Sequence, residues 1–286
     1  MKKIIIAAII ISITALFIII KTDNEGKIIT QKRTLTVIKS LKKEDLQKLA
    51  KKKVYFAHMS VGYNILAGVQ SIIKKNNLSI KLVEVKDKKA DLTEPAIYHS
   101  KVGANIYPLK KITDYKKKIQ KIYGNKINIA FLKFCYIDIN VKTDINKVFS
   151  TYQDTLKVLQ KKYPKTIFVH MTVPLNAEGN VTIGKKIKDF IKGIIGKQKY
   201  KDKMRTANIA RKSYNDLLRK TYKKNRLFDL AKFESTTEKG IEKFSLNNSI
   251  KHNFLLKEYT YDGGHLNKRG REFIAEQLLI FLTKVK

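Results

Sequence analysis

The sequence predicts a three-layer α/β/α sandwich built on a five-stranded parallel sheet. Three observations predict it. Short apolar runs of strand length alternate with helical periodicities five times along the chain. Most of the runs are apolar throughout rather than of the half-polar kind that one-sided sheets show, so both faces of the sheet should be covered by helices. A length of 286 residues with a hydrophobic fraction of 43% is enough for one large α/β core with extensions.

Each element follows from the local pattern. Residues 22–52 are polar and lysine-rich and read as a linker carrying a short helix around Lys43–Lys51. Val54-Tyr-Phe-Ala57 is the first strand, and Ile65, Leu66, Val69, Ile72 and Ile73 mark one apolar face of the helix after it. Ser79–Val85 alternates as a second strand. Residues 87–113 contain Pro95, Gly103 and Pro108 without a period, so a long loop is expected there, ahead of a short helix over Asp114–Tyr123. Ile127–Cys135 is the third strand, and residues 144–162 form an amphipathic helix ended before Pro164. Thr166–Met171 is the fourth strand. Residues 174–200 and 231–258 read as insertions flanking a helix at 204–224 and a fifth strand at Arg226–Leu230. The last helix covers 268–284, with Phe273, Ile274, Leu278, Leu279 and Leu282 as its stripe. No internal repeat is visible, and residues 53–286 are expected to form a single domain.

At the N-terminus, Lys2 and Lys3 precede an uncharged run from Ile4 to Ile20. As a helix its 17 residues would reach about 26 Å, enough for a thin bilayer core. Two lysines on the short side favour leaving that end in the cytoplasm. No Ala-x-Ala-like site closes the run, so residues 1–21 are expected to be an uncleaved signal anchor with the domain outside the cytoplasm. A cleaved signal peptide, releasing a secreted or periplasmic protein, is the rival. Cys135 is the only cysteine, which excludes an intramolecular disulfide.

The formal net charge is +36, yet only seven of the 60 basic residues are arginine. Lysine is a hydrated point charge, and these lysines are spread along the chain rather than gathered on one tail with aromatic platforms. No specific nucleic-acid partner is expected. A solvated basic surface explains the charge, and attraction to anionic lipid headgroups or acidic glycans is the sharper alternative. Neither a glycine-rich phosphate loop nor metal-ligand spacing is present. His99, His170 and His252 stand far apart, and no cofactor or metal is expected.

In a parallel sheet of this type, reactive groups gather beyond the carboxyl ends of the strands. The first strand runs into Ala57-His-Met-Ser60-Val-Gly62, which places the Ser60 hydroxyl at a helix N-terminus. A serine there can be a helix cap, or a nucleophile whose oxyanion is held by unpaired amides. The second constellation is Tyr261-Asp262-Gly-Gly-His265-Leu-Asn267, just before the last helix. Across a Gly-Gly turn, Asp262 can hydrogen-bond His265, fix its tautomer and leave the other ring nitrogen as a general base. A capped flexible turn with a chance histidine is the bland alternative. Five histidines in the whole chain make coincidence with Ser60 the weaker explanation. His58, two residues before Ser60, should point elsewhere and pack. Cys135 reads as a small buried hydrophobe.

A serine closing the first βα turn and an Asp-x-x-His before the C-terminal helix resemble the end motifs of the SGNH hydrolases, the GDSL-type esterases. The resemblance spans about residues 53–284 and is supported by Tyr214-Asn-Asp-Leu-Leu218 and Leu227-Phe-Asp-Leu-Ala231. It implies a flavodoxin-like sheet and a serine esterase in which Ser60 is the nucleophile, His265 the base and Asp262 its orienting acid. It also implies an oxyanion hole formed by the amide of Ser60 and that of Gly103, in Val102-Gly-Ala-Asn105. The chain departs from the family in two blocks. The first block reads His58-Met-Ser60-Val instead of Gly-Asp-Ser-Leu. The third reads Lys133-Phe-Cys-Tyr136-Ile-Asp138, without the usual asparagine donor. Asn105, the Tyr136 hydroxyl or nothing replaces that donor. The implied substrate is an ester, such as an O-acyl group of an envelope glycan or a lipid. An O-acyltransferase using the same residues and a catalytically weak module binding anionic envelope polymers are the alternatives.

Overall fold

A computed structural model describes residues 41–86, 91–178, 200–247 and 249–285, with the backbone alone at 43 and 200–202 and in three N-terminal strands, β1 (Ile6–Ala7), β2 (Phe17–Thr22) and β3 (Ile28–Arg33). These three pair antiparallel in sequence order. The rest of the run from Ile4 to Ile20, where a membrane-spanning helix is expected, lies outside the described residues. What is described of it is extended, in keeping with the strand preference of isoleucine-rich sequence. Among the described residues no helix is long and apolar enough to cross a membrane.

The core sheet is five-stranded and entirely parallel, in the order β5-β6-β4-β7-β8. Its members are β4 (Lys53–His58), β5 (Leu82–Glu84), β6 (Ala96–Lys101), β7 (Ile129–Leu132) and β8 (Ile167–Phe168). After β8 the chain changes neighbour. Val169 still donates to Ala130, but β9 (His170–Met171) pairs with β10 (Leu227–Phe228), adding a sixth parallel position at that edge.

β4 explains why there are three layers. Its side chains alternate: Val54 and Phe56 enter one apolar cluster, Tyr55 and Ala57 the other. The first cluster lies under α1 (Lys43–Leu49), α2 (Val61–Lys75) and the C-terminal helix. The second lies under α3 (Pro108–Lys118), α4 (Ile145–Lys162) and α5 (Tyr200–Thr221). A short α6 (Leu230–Glu234), the hairpin β11 (Phe244–Asn247) and β12 (Ile250–Asn253), and α7 (Lys268–Lys284) complete the chain. Helices α2 and α7 meet closely at Gly68, where a Cβ would stand 2.1 Å from the Arg271 carbonyl oxygen. On that face α2 buries Val61, Ile65, Leu66, Val69 and Ile73, each worth about 1.5–3 kcal/mol of transfer free energy.

Three expectations need correction. The strand expected at 79–85 shrinks to the edge piece β5, and β6 stands between it and β4, inside the expected loop 87–113. β6 escaped the hydrophobic pattern because it buries polar groups that are satisfied across the sheet. Ser100 Oγ lies 2.9 Å from the Tyr55 hydroxyl, and His99 Nδ1 lies 3.2 Å from His58 Nε2. The helix expected to begin at Asp114 begins instead at Pro108, a residue preorganised for a first helical turn. The insertion at 174–200 falls largely outside the described residues.

Candidate active site

β4 is the middle strand of its sheet, and it delivers Ser60 to the carboxyl edge. There the chain turns directly into α2. Ser60 sits at φ 48°, ψ −109°, a strained conformation for a residue with a Cβ. Its N–H donates to no acceptor among the described residues, and it stands at the positive end of a 15-residue helix. The turn is braced from below, where the Cys135 thiol donates to the Met59 carbonyl at 3.6 Å.

The loop before α7 brings the second half of the site from 205 residues away. Ser60 Oγ lies 2.7 Å from His265 Nε2. His265 Nδ1 lies 2.7 Å from Asp262 Oδ2. With the carboxylate accepting at Nδ1, the proton belongs on that nitrogen, so Nε2 accepts from the serine hydroxyl. The other Asp262 oxygen accepts the N–H groups of Gly264, at 2.9 Å, and His265, at 2.7 Å. Partial burial pushes the Asp262 carboxyl up, but the His265 amide and ring and the Gly264 amide outweigh it and hold the group below its ordinary range.

The loop's position is fixed by side chains that sequence reasoning did not single out. Asn64, one turn along α2, accepts the Leu266 N–H at 3.0 Å. Asn176 and the Ala177 amide both donate to the Gly263 carbonyl. The His265 ring lies between Tyr261, stacked at 6.0 Å, and Tyr136, edge-on at 5.9 Å. Of the two asparagines, only Asn64 left a hint in the sequence, its four-residue spacing from Ser60. A cleft of about 590 Å³ opens beside Asp262 and Gly264, and Ile137, Val141, Met204 and Arg211 also line it.

The oxyanion donors inferred from the family resemblance fare differently. The Gly103 N–H donates to Asp114 Oδ2 at 2.9 Å, so that amide is engaged within its own loop and is not an open donor. The physical reason is that α3 starts early, at Pro108, and turns Asp114 back onto the loop. The Asn105 side-chain oxygen accepts from Lys111 Nζ at 3.0 Å, which leaves the nitrogen end of that amide as its donor. Lys111 and Asp138 form a fully buried ion pair at 2.6 Å. Asp138 also accepts the N–H groups of Ile106 and Cys135, at 2.9 and 2.7 Å, tying the loop after β6 to the loop after β7.

His58 and Cys135 lie beneath the site. His58 packs edge-on against Tyr63 and lies over Gly62, and burial, with Lys133 second, drives its pKa down to about 2. It is a neutral packing group. Cys135 is buried, 3.7 Å from the Lys133 ammonium nitrogen. Among the described residues no group of acidic, histidine and cysteine side chains could hold a metal ion.

No family model matches the chain, and no curated protein matches it. Solved structures do. The periplasmic domain of a lipopolysaccharide acetyltransferase from Salmonella ser. Paratyphi A is 13% identical, with 84% of this chain and 88% of that one covered and a TM-score of 0.43. A protein described as lipolytic and of the G-D-S-L family, from Desulfitobacterium hafniense, is 12% identical over 81% of this chain and 99% of its own, with a TM-score of 0.43. A carbohydrate esterase of family 3 from Talaromyces cellulolyticus is 13% identical over 82% and 98%, with a TM-score of 0.41.

Proposed function

We propose that this chain is a serine-dependent acyl hydrolase that cleaves an ester by way of an acyl-enzyme on Ser60. The observation that carries the reading is the unbroken relay from Ser60 Oγ through His265 to Asp262, with both links at 2.7 Å, ending in a strained serine at a helix N-terminus. His265 Nε2 takes the serine proton as Oγ attacks the ester carbonyl. Asp262 stabilises the imidazolium. The Ser60 amide holds the developing oxyanion, and the Asn105 side-chain nitrogen supplies the second donor in place of the missing third-block asparagine. His265 then returns the proton to the departing alkoxide. Water, deprotonated by the same nitrogen, releases the acid and restores Ser60.

An O-acyl group on an envelope glycan or lipid is the proposed substrate class, and the basic-then-apolar order of residues 2–20 supports export as the setting. The cleft is also lined by Asn140, Asn176, Thr206 and Lys142, polar groups that suit a sugar hydroxyl and favour acyl transfer as a second reading. The same residues would act, with the hydroxyl in place of water. A fluorophosphonate probe and p-nitrophenyl acetate test the proposal. Wild type should label and turn over, and Ser60→Ala should do neither. Labelling that persists in Ser60→Ala would sink it.

A further inference from the structure

The apolar residues that this fold leaves in water are not scattered. Eight large hydrophobic side chains are exposed among the described residues, and five of them ring the site: Ile106 at 52%, Tyr107 at 49%, Ile137 at 42%, Val141 at 67% and Tyr261 at 54%. They occupy three loops that meet there. Tyr261 stacks on His265, Ile137 and Val141 share the cleft with Asp262, and Ile106 is bonded through its amide to Asp138 of the same loop as Ile137. The other three, Val158, Leu246 and Ile250, lie on α4 and the β11–β12 hairpin.

Ile106 carries the argument furthest. It stands at φ 67°, a region that β-branched residues avoid, and it presents its side chain to solvent there. A glycine would relieve the strain and remove the exposed apolar surface together. The lip is nonetheless held rigidly by the buried Lys111–Asp138 pair. Strain maintained in this way at the edge of a site points to use.

The charge around the ring selects the occupant. Lys110 lies over the Tyr107 ring at 4.6 Å, Lys101 lies over Tyr63 at 5.9 Å, and Lys142 and Lys203 line the same cleft as Val141. Among the described residues, Asp262 is engaged by His265, Asp138 by Lys111, Asp114 by Gly103 and Glu84 by Tyr63. Apolar and tyrosine tips surrounded by lysines that pair with no carboxylate among the described residues match an anionic bilayer surface, where the tips enter the headgroup boundary and the lysines meet the lipid charge.

We propose that the rim around Ser60 docks on an anionic lipid surface, so that the site faces esters held at that surface. The substrate part rests on the acyl-hydrolase reading, whereas the docking does not. The chain contains no tryptophan, so a single introduced one reports its own surroundings. Tyr107→Trp and Val141→Trp place the reporter on the rim, and Val158→Trp places it on α4. With phosphatidylglycerol vesicles carrying brominated acyl chains, emission from both rim reporters should move to shorter wavelength and be quenched. The α4 reporter should not respond. Phosphatidylcholine vesicles or raised salt should abolish the response. Adding Ile106→Gly should weaken the quenching while raising the melting temperature. Unquenched rim reporters, equal quenching at position 158, or an equal response to phosphatidylcholine would each overturn the proposal, the last pointing to apolar contact alone. A rim that responds only to a protein or a soluble glycan overturns it too. Turnover of p-nitrophenyl acetate without vesicles separates the two readings: retained turnover with no insertion sinks the docking alone, and insertion without turnover sinks the hydrolase.

Discussion

Replacing Gly264 by alanine removes no reacting group, yet it should disable the relay. A Cβ at this position would stand 2.7 Å from Tyr136 Cζ and 2.8 Å from both Cε1 and Oη. Ordinary contact begins at 3.4 Å, so the loop or the ring must move by about 0.7 Å, the difference between 3.4 and 2.7. The ring is not free to yield cheaply. It packs edge-on to His265, with the Arg211 guanidinium 5.8 Å from its centre, and Arg211 also bonds the Tyr136 carbonyl. If the loop takes the movement, a Ser60–His265 contact of 2.7 Å opens beyond useful hydrogen-bond length. Misplacement by about 1 Å costs about 100-fold, so kcat for p-nitrophenyl acetate should fall on the order of 30-fold. The overpacking itself should cost about 1–3 kcal/mol, a drop of several degrees in Tm by circular dichroism, with the protein still folded. In a Tyr136→Ala background the same substitution should cost far less, because its obstacle is gone. An equal loss in both backgrounds, or a kcat within threefold of wild type, would refute the reasoning.

Asp262→Asn should fold normally but lose the correct imidazole tautomer, lowering kcat by up to about 10⁴-fold with KM little changed; a loss under tenfold in steady-state kinetics would remove Asp262 from its role. Glu234 offers a test of stability. It is fully buried, one oxygen accepts the Leu175 N–H at 2.6 Å, and the other meets no partner among the described residues. Burial lifts its pKa to about 8 from 4.5, against the opposing effects of the Leu175 amide, Lys133 and Arg211. A carboxyl raised on folding favours the native state fully below pH 4.5 and loses that advantage as pH climbs to about 8, at up to about 1.4 kcal/mol per pH unit. In urea unfolding at pH 4.5, 7 and 8.5, wild type should therefore lose on the order of 3–5 kcal/mol relative to Glu234→Gln across the series; a difference that does not vary with pH overturns this.

What the sequence determined by itself is local. The apolar runs of Val54–Ala57 and Ile129–Leu132 and the helical stripes at Ile65–Ile73 and Phe273–Leu282 announce layers, because burial on both faces of a sheet or on one face of a helix leaves a short-range period. Ser60 and the Asp262–His265 pair were legible as candidates for a similar reason. A turn between strand and helix and an Asp-Gly-Gly-His loop are continuous stretches of chain. What only the tertiary structure decided are the relations between stretches. β6 could not be read as a strand, since the groups that satisfy His99 and Ser100 lie 41 and 45 residues away on β4. The engagement of Gly103 by Asp114, the burial of Lys111 against Asp138, and the crowding of Gly264 by Tyr136 likewise have no trace in local pattern. So it is with the five apolar tips gathered on one rim. Hydrophobic periodicity records which face of an element is buried, whereas a hydrogen bond or a steric contact across a fold records which elements meet, and the second is set only when the chain closes on itself.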